Sequence, residues 1–420
     1  MRRKGLASLI VMAISCLAMG ASSSWLYVLE GTFRQEIDYV YRVMLEPDWS
    51  VSATVPQLRE TTQPWYAVDV LGETIGSTLA PSSEWTETDG WGTRWTTFFW
   101  NQLVDSTTFE RTTRLVSDAT YGAMHTNDPY PLDRKVTSSL PREALRATQS
   151  IQKDDAAISA LARAAVAGCA TELEAVARLL SVACERTVYA CSADLCEPVY
   201  RVDAVYTLEL GKGNCVSYAN LVLALLRSAG IPAVAAHGFV VDREESHAGH
   251  AWISVYFPSW GWVEFESADW MPAYGEVPTT FLMPQHVTAY LGEGQGVSTA
   301  GFSEEHQTSF TILERPEAKA SVEATCGAGE TVAWALSVDG RCDEPTVVEL
   351  TISGVPAGWR ATLSNDSPIL DPSSPRALDV LLAVTPPASS ARGEAATLLV
   401  RATVNGTHVG EASFAVTVGP

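Results

Sequence analysis

Three side chains able to do covalent chemistry together occur in order in this 420-residue chain. Cys215 opens a helix-forming run, His250 opens a strand-forming run, and Glu266 closes the next strand-forming run. A thiol in the first turn of a helix sits among backbone N–H groups at the positive end of the helix dipole. That placement lowers its pKa and favours the thiolate. A thiolate nucleophile needs a base to hold its proton, and the base needs a third group to fix its tautomer. The three residue types here could supply all three roles. A cysteine near a helix start is, by itself, more often a small buried residue, so the reading rests on the combination.

The elements that must position these residues are legible around them. Gly211-Lys212-Gly213 reads as a tight turn and Asn214 as an N-cap. Val216 to Ala229 is rich in Ala, Leu and Val, and Gly230 and Pro232 end it. His250 to Phe257 is β-branched and aromatic, Pro258-Ser259-Trp260-Gly261 reads as a turn, and Trp262 to Glu266 as the returning strand. In an antiparallel hairpin, directly opposed residues share a face, as do neighbours two along. A three-residue loop, Pro258-Ser259-Trp260, sets Phe257 against Gly261, His250 against Ala268, and Glu266 on the diagonal. A two-residue loop would instead leave Asp269 opposite His250. Glu266 is therefore the expected carboxylate and Asp269 the reserve.

The run GKGNCVSYANLVLALLRSAGIPA, followed by HAW and then GWVEFE, resembles the core of the transglutaminase-like superfamily. Its members are papain-like cysteine enzymes with a Cys, His, Asp triad. The resemblance covers roughly residues 150 to 275. It implies Cys215 as nucleophile, His250 as general base, and Glu266 where the family usually has Asp. It implies an enzyme acting on carboxamide or peptide bonds through an acyl-enzyme, either as protease or amidase or as transglutaminase. It implies a protein or peptide substrate and no cofactor or metal. The alternative is a catalytically silent envelope or adhesion protein whose β domains bind peptide or glycan.

Length suggests two or three domains. The expected class is α+β. A papain-like catalytic core over 141–300 is flanked by an N-terminal β domain over 21–140 and an Ig-like β-sandwich over 315–420. Thr, Val, Tyr and Trp alternate with polar residues between Trp25 and Arg134, with clear strands at Ile37 to Val43, Thr93 to Val104 and Thr107 to Val116. The tryptophans at 85, 91, 95 and 100 read as core, with a binding platform as the alternative. Asp154 or Asp155 should cap a helix, and Thr171 to Glu174 is a capping box opening another. Val205 to Leu210 reads as extended, Gln285 to Tyr290 as a helical turn, and His237 as a satisfied structural histidine.

A formal charge of −21 argues against nucleic acid and against anionic membrane surfaces. Arg2-Arg3-Lys4, an apolar run to Gly20 and small residues around it read as a signal peptide over 1–20, and so as a secreted or envelope protein. There are eight cysteines. Setting aside Cys16 and Cys215 leaves an even six, which in an exported chain suggests disulfides. The local pairings are Cys191 with Cys196, Cys326 with Cys342, and Cys169 with Cys184. The β domains are candidates for contact with envelope or surface polymers.

Overall fold

The computed structural model describes residues 25–130, 136, 138–189, 201–240, 249–268, 286–292, 298–299, 303–340, 342–370 and 378–420. The leader over 1–20, Cys191, Cys196 and Asp269 lie outside them. Strands make up 54% and helices 15% of the described residues.

Among the described residues the helices cluster between residues 139 and 228: Ser139–Glu143 (α1), Ala156–Ala165 (α2), Glu172–Arg186 (α3), Ala204–Leu210 (α4) and Cys215–Ser228 (α5). Each of the last four starts on a side-chain cap. Asp155 accepts from Ala157 N and Ile158 N at 2.9 and 3.1 Å, Thr171 from Glu174 N at 3.3 Å, Asp203 from Tyr206 N and Asn214 from Ser217 N, both at 3.1 Å. The capping box closes one residue early, because Glu174 reaches back to Ala170 N at 2.6 Å. The segment read as extended over Val205 to Leu210 is α4. The Asp203 cap and the Gly211 stop outweigh the strand-like residues between them.

Helix α5 is the hub. Every residue from Ser217 to Arg227 is buried, packed on α2, α3 and α4 and on one face of a four-stranded antiparallel sheet. That sheet runs Gly261–Phe265, His250–Phe257, Ala233–Val240, His286–Leu291 in spatial order. Its last member replaces the helical turn expected over Gln285 to Tyr290. Val287 is fully buried opposite Phe239, so pairing with the inner strand decides the conformation. One residue, Ala289, is bulged out where the register shifts between His237 and Gly238.

The first strand, Leu26–Leu45, belongs to two cores. Its first residues pair with Thr331–Val338 and Glu317–Lys319, and the rest with Thr107–Tyr121 on one side and Ser303–Glu314 on the other. Leu26 and Val28 point into the core of residues 322–418, while Tyr27 and Leu29 point into that of residues 33–121. The C-terminal core lies between two sheets, with Trp334 of one against Phe414 of the other at 5.2 Å. This unit docks on α3, where Arg360 Nη2 pairs with Glu174 at 2.9 Å and Arg178 Nη1 donates to the Ser364 carbonyl at 2.9 Å. Trp95 and Trp100 are buried as core, Trp91 packs edge-on against Trp262, and Trp85 is exposed.

The cysteines correct the sequence reading. Cys169, Cys326 and Cys342 are free thiols, so neither Cys326 with Cys342 nor Cys169 with Cys184 is joined. Cys184 turns its thiol toward the Ser267 carbonyl at 4.0 Å, and Cys342 toward that of Leu370 at 3.7 Å. Closeness in sequence suggested the pairs, but strand and helix geometry aims the thiols elsewhere.

Candidate active site

Cys215 is the first residue of α5. The chain reaches it through Gly213, where an added Cβ would stand 2.4 Å from that of Ser217. His250 is the first residue of its strand and lies directly opposite Gly238. The hairpin takes the three-residue loop, with Phe257 opposite Gly261 and Ile253 opposite Phe265. Asp128 holds that loop by accepting from Ser259 Oγ at 2.8 Å and Ser259 N at 3.3 Å. In this register Glu266 falls diagonal to His250. His250 Nε2 and Glu266 Oε2 are 2.9 Å apart, with the side chains 6% and 5% exposed. The His250 side chain is also hydrogen-bonded to that of Cys215. The three residues singled out from sequence are therefore joined into one bonded chain.

Glu266 has a second partner that sequence reading missed. His286 Nε2 lies 2.9 Å from the same oxygen, Oε2. The other oxygen, Oε1, accepts from the backbone N–H groups of Ser267 and Ala268, each at 2.8 Å. Burial pushes the Glu266 pKa up, but the charge and hydrogen bond of His250 and the bond from His286 outweigh it and hold the carboxylate well below its usual range. An ionised carboxylate only accepts, so both histidines present Nε2–H to it. Nδ1 of His250 is then the ring atom left to take a proton from the thiol. Period-two spacing of His286 and Thr288 around buried Val287 was the available sequence signal, masked by reading the segment as helical.

Electrostatics favour an ion pair. Burial works against the charged form of His250, yet Glu266 and the bond to Cys215 raise its pKa. Burial likewise pushes the Cys215 thiol up, but the His250 bond, its charge and the Ala251 N–H bring it below the ordinary value. Behind these groups, Glu264 is buried and raised by desolvation, accepting from Trp252 Nε1 at 2.8 Å and Thr288 Oγ1 at 2.6 Å. His237 is the satisfied histidine expected, at 3.1 Å from the Gly292 carbonyl.

Ligand atoms of His250, Glu266 and His286 lie within 4.8 Å of one another, a grouping able to hold a metal ion. The same atoms satisfy each other by hydrogen bonds, so a metal would have to displace both Nε2 protons.

Gly238 makes this convergence possible. A Cβ there would stand 1.9 Å from the Val287 carbonyl oxygen and 2.9 Å from the Trp252 ring. Gly238→Ala should therefore force the inner and edge strands apart, costing about 1–3 kcal/mol. A melting curve should show the loss, together with slower labelling of Cys215. An unchanged Tm would contradict the packing.

Residues 159–267 match the model of the transglutaminase-like superfamily core. A provisionally assigned cysteine protease from Cytophaga hutchinsonii is similar in structure, with a TM-score of 0.51 at 16% identity, over 69% of this chain and 95% of that one. The periplasmic domain of TgpA from Pseudomonas aeruginosa aligns over 57% and 90% at 16% identity, with a TM-score of 0.28, too low to imply a shared fold. The uncharacterised protein YebA of Bacillus subtilis (strain 168) is 36% identical over 75 residues, 14% of this chain. The match spans a tenth of that relative's length. No described helix is long and apolar enough to cross a membrane.

Proposed function

We propose, taking residues 159–267 as a transglutaminase-like core, that the protein is an exported cysteine enzyme acting on carboxamide or peptide bonds. The observation that carries this reading is the bonded chain from Cys215 through His250 to Glu266. Cys215 thiolate attacks the carbonyl carbon and forms a C–S bond as the carbonyl π pair moves to oxygen. The Cys215 backbone N–H, in the first turn of α5, is one donor for that oxyanion. His250 imidazolium then gives its proton to the departing amine as the C–N bond breaks. Water or an amine next loses a proton to neutral His250 and attacks the thioester, restoring the thiol. Glu266 keeps the ring in one tautomer throughout and offsets its positive charge. The leader-like residues 1–20 support export, and the sandwich over 315–420 is read as an Ig-like module.

Iodoacetamide labelling tests the reading. The Cys215 pKa is lowered, so its thiolate is present from below the ordinary thiol range upward. Its labelling rate should rise with pH with a midpoint below about 8.5, that of a free cysteine. Cys169 and Cys326 stay silent in that window, because burial raises each to about 11. A peptide-resolved rate for Cys215 with the midpoint of a free cysteine would refute the ion pair.

A further inference from the structure

A cavity of about 330 Å³ opens beside His250 and Val216, next to the proposed nucleophile. The steps written above do not use it. Its walls come from two parts of the fold. The inner strand Ala233–Val240 supplies His237 and Phe239, alternate residues that share a face. Each carries a second ring: His237 stacks on Tyr290 with centroids 4.6 Å apart at 11°, and Phe239 on Tyr39 at 3.8 Å and 9°. Tyr39 and Tyr41 come from the first strand, outside the superfamily match, so the N-terminal β region completes the cavity.

The charged groups of the lining are already paired, His250 with Glu266 and Cys215. Arg111 is its one arginine, and its charge is met inside the wall. Nε donates to Glu73 Oε1 at 2.7 Å, and Nη1 donates to the Pro56 carbonyl. Burial holds His237 down at about 4, so that ring is uncharged near neutral pH. The volume is at the lower end of ordinary ligand sites and accommodates a single large side chain. A charged side chain placed there would lose hydration without gaining a partner.

We propose that this cavity is the specificity pocket, receiving an uncharged aromatic or large aliphatic side chain next to the scissile carbonyl. The inference rests on Cys215 being the nucleophile. The N-terminal β region thus selects the substrate that the helical core cleaves.

Four N-acetyl amino-acid chloromethyl ketones, with Phe, Leu, Ala or Glu side chains, test it on the full chain. The readout is the rate of Cys215 labelling divided by the iodoacetamide rate. Burying a large apolar side chain should make the Phe and Leu reagents on the order of 30-fold faster than Ala. The Glu reagent should be slower than Ala. Ala289→Phe, which fills the cavity, should bring the Phe-to-Ala ratio close to one. A flat series, a preference for Glu, or a ratio untouched by Ala289→Phe would overturn the pocket while iodoacetamide still reacts fast. Slow iodoacetamide labelling would overturn the nucleophile and the pocket with it. Because the four reagents are compared on unaltered protein, the test survives a variant that fails to fold.

Discussion

Cys215→Ala should abolish amide turnover, lowering kcat by on the order of 10⁶, the scale seen in triad enzymes, while the protein keeps its fold. The fold should survive because Cys215 is the first residue of α5 and carries none of its capping. The cap runs from Asn214 Oδ1 to Ser217 N, and Ala is the best helix former. His250→Ala should cost a comparable factor, since nucleophile and base act as a unit. Turnover of a peptide-amide library by wild type and both variants, with circular dichroism as the fold control, decides it. Full activity in Cys215→Ala would move the chemistry to another site.

Glu266→Gln should be the next most damaging change after these two, at about 10⁴ in kcat, the scale seen when a triad carboxylate loses its charge. Four donors converge on this carboxylate: two imidazole N–H groups on Oε2 and two backbone N–H groups on Oε1. A glutamine offers one accepting atom and one donating group, so one pair of donors must meet another donor. The unsatisfied groups should cost about 1–3 kcal/mol of stability. The pH effect has a definite sign. Glu266 raises the His250 pKa, and the charge of His250 lowers that of Cys215. Removing the carboxylate charge lowers the first; it also relieves a direct repulsion of the Cys215 thiolate, but the bond and charge of His250 act on the thiol more strongly than Glu266 does, so the labelling midpoint of Cys215 should move up in pH. Glu266→Asp keeps the charge and should shift the midpoint less. A Gln variant with wild-type kcat and an unmoved midpoint would mean that a different carboxylate orients His250.

Local signals made the site legible in the sequence. Asn214 as a cap, Gly230 and Pro232 as a stop, and the expected three-residue loop at Pro258-Ser259-Trp260 act over a few residues. The hairpin register followed from counting across that loop. His286 was not legible in the same way. It reaches Glu266 only because an edge strand pairs with Ala233–Val240 and bulges at Ala289, a choice made by tertiary pairing. Helix α4 went unseen for the related reason that a cap and a stop outweighed strand-like side chains. The sharing of Leu26–Leu45 between two cores left only a faint trace. Leu26-Tyr27-Val28-Leu29 is apolar on both faces, where a half-buried strand would alternate.

That strand bears on how the chain reaches its native state. Leu26 pairs with Val338, about 300 residues further along. At roughly 5–20 residues per second of synthesis, the partner emerges roughly 15–60 seconds after the strand itself. Until then Leu26 to Leu29 present unpaired backbone and apolar side chains, a template for misassociation. Closure of such distant contacts is slow, and neither β core can be completed one domain at a time. The first strand must therefore be held open until the residues around Val338 are made, and folding should behave as one late, concerted event that links both β cores.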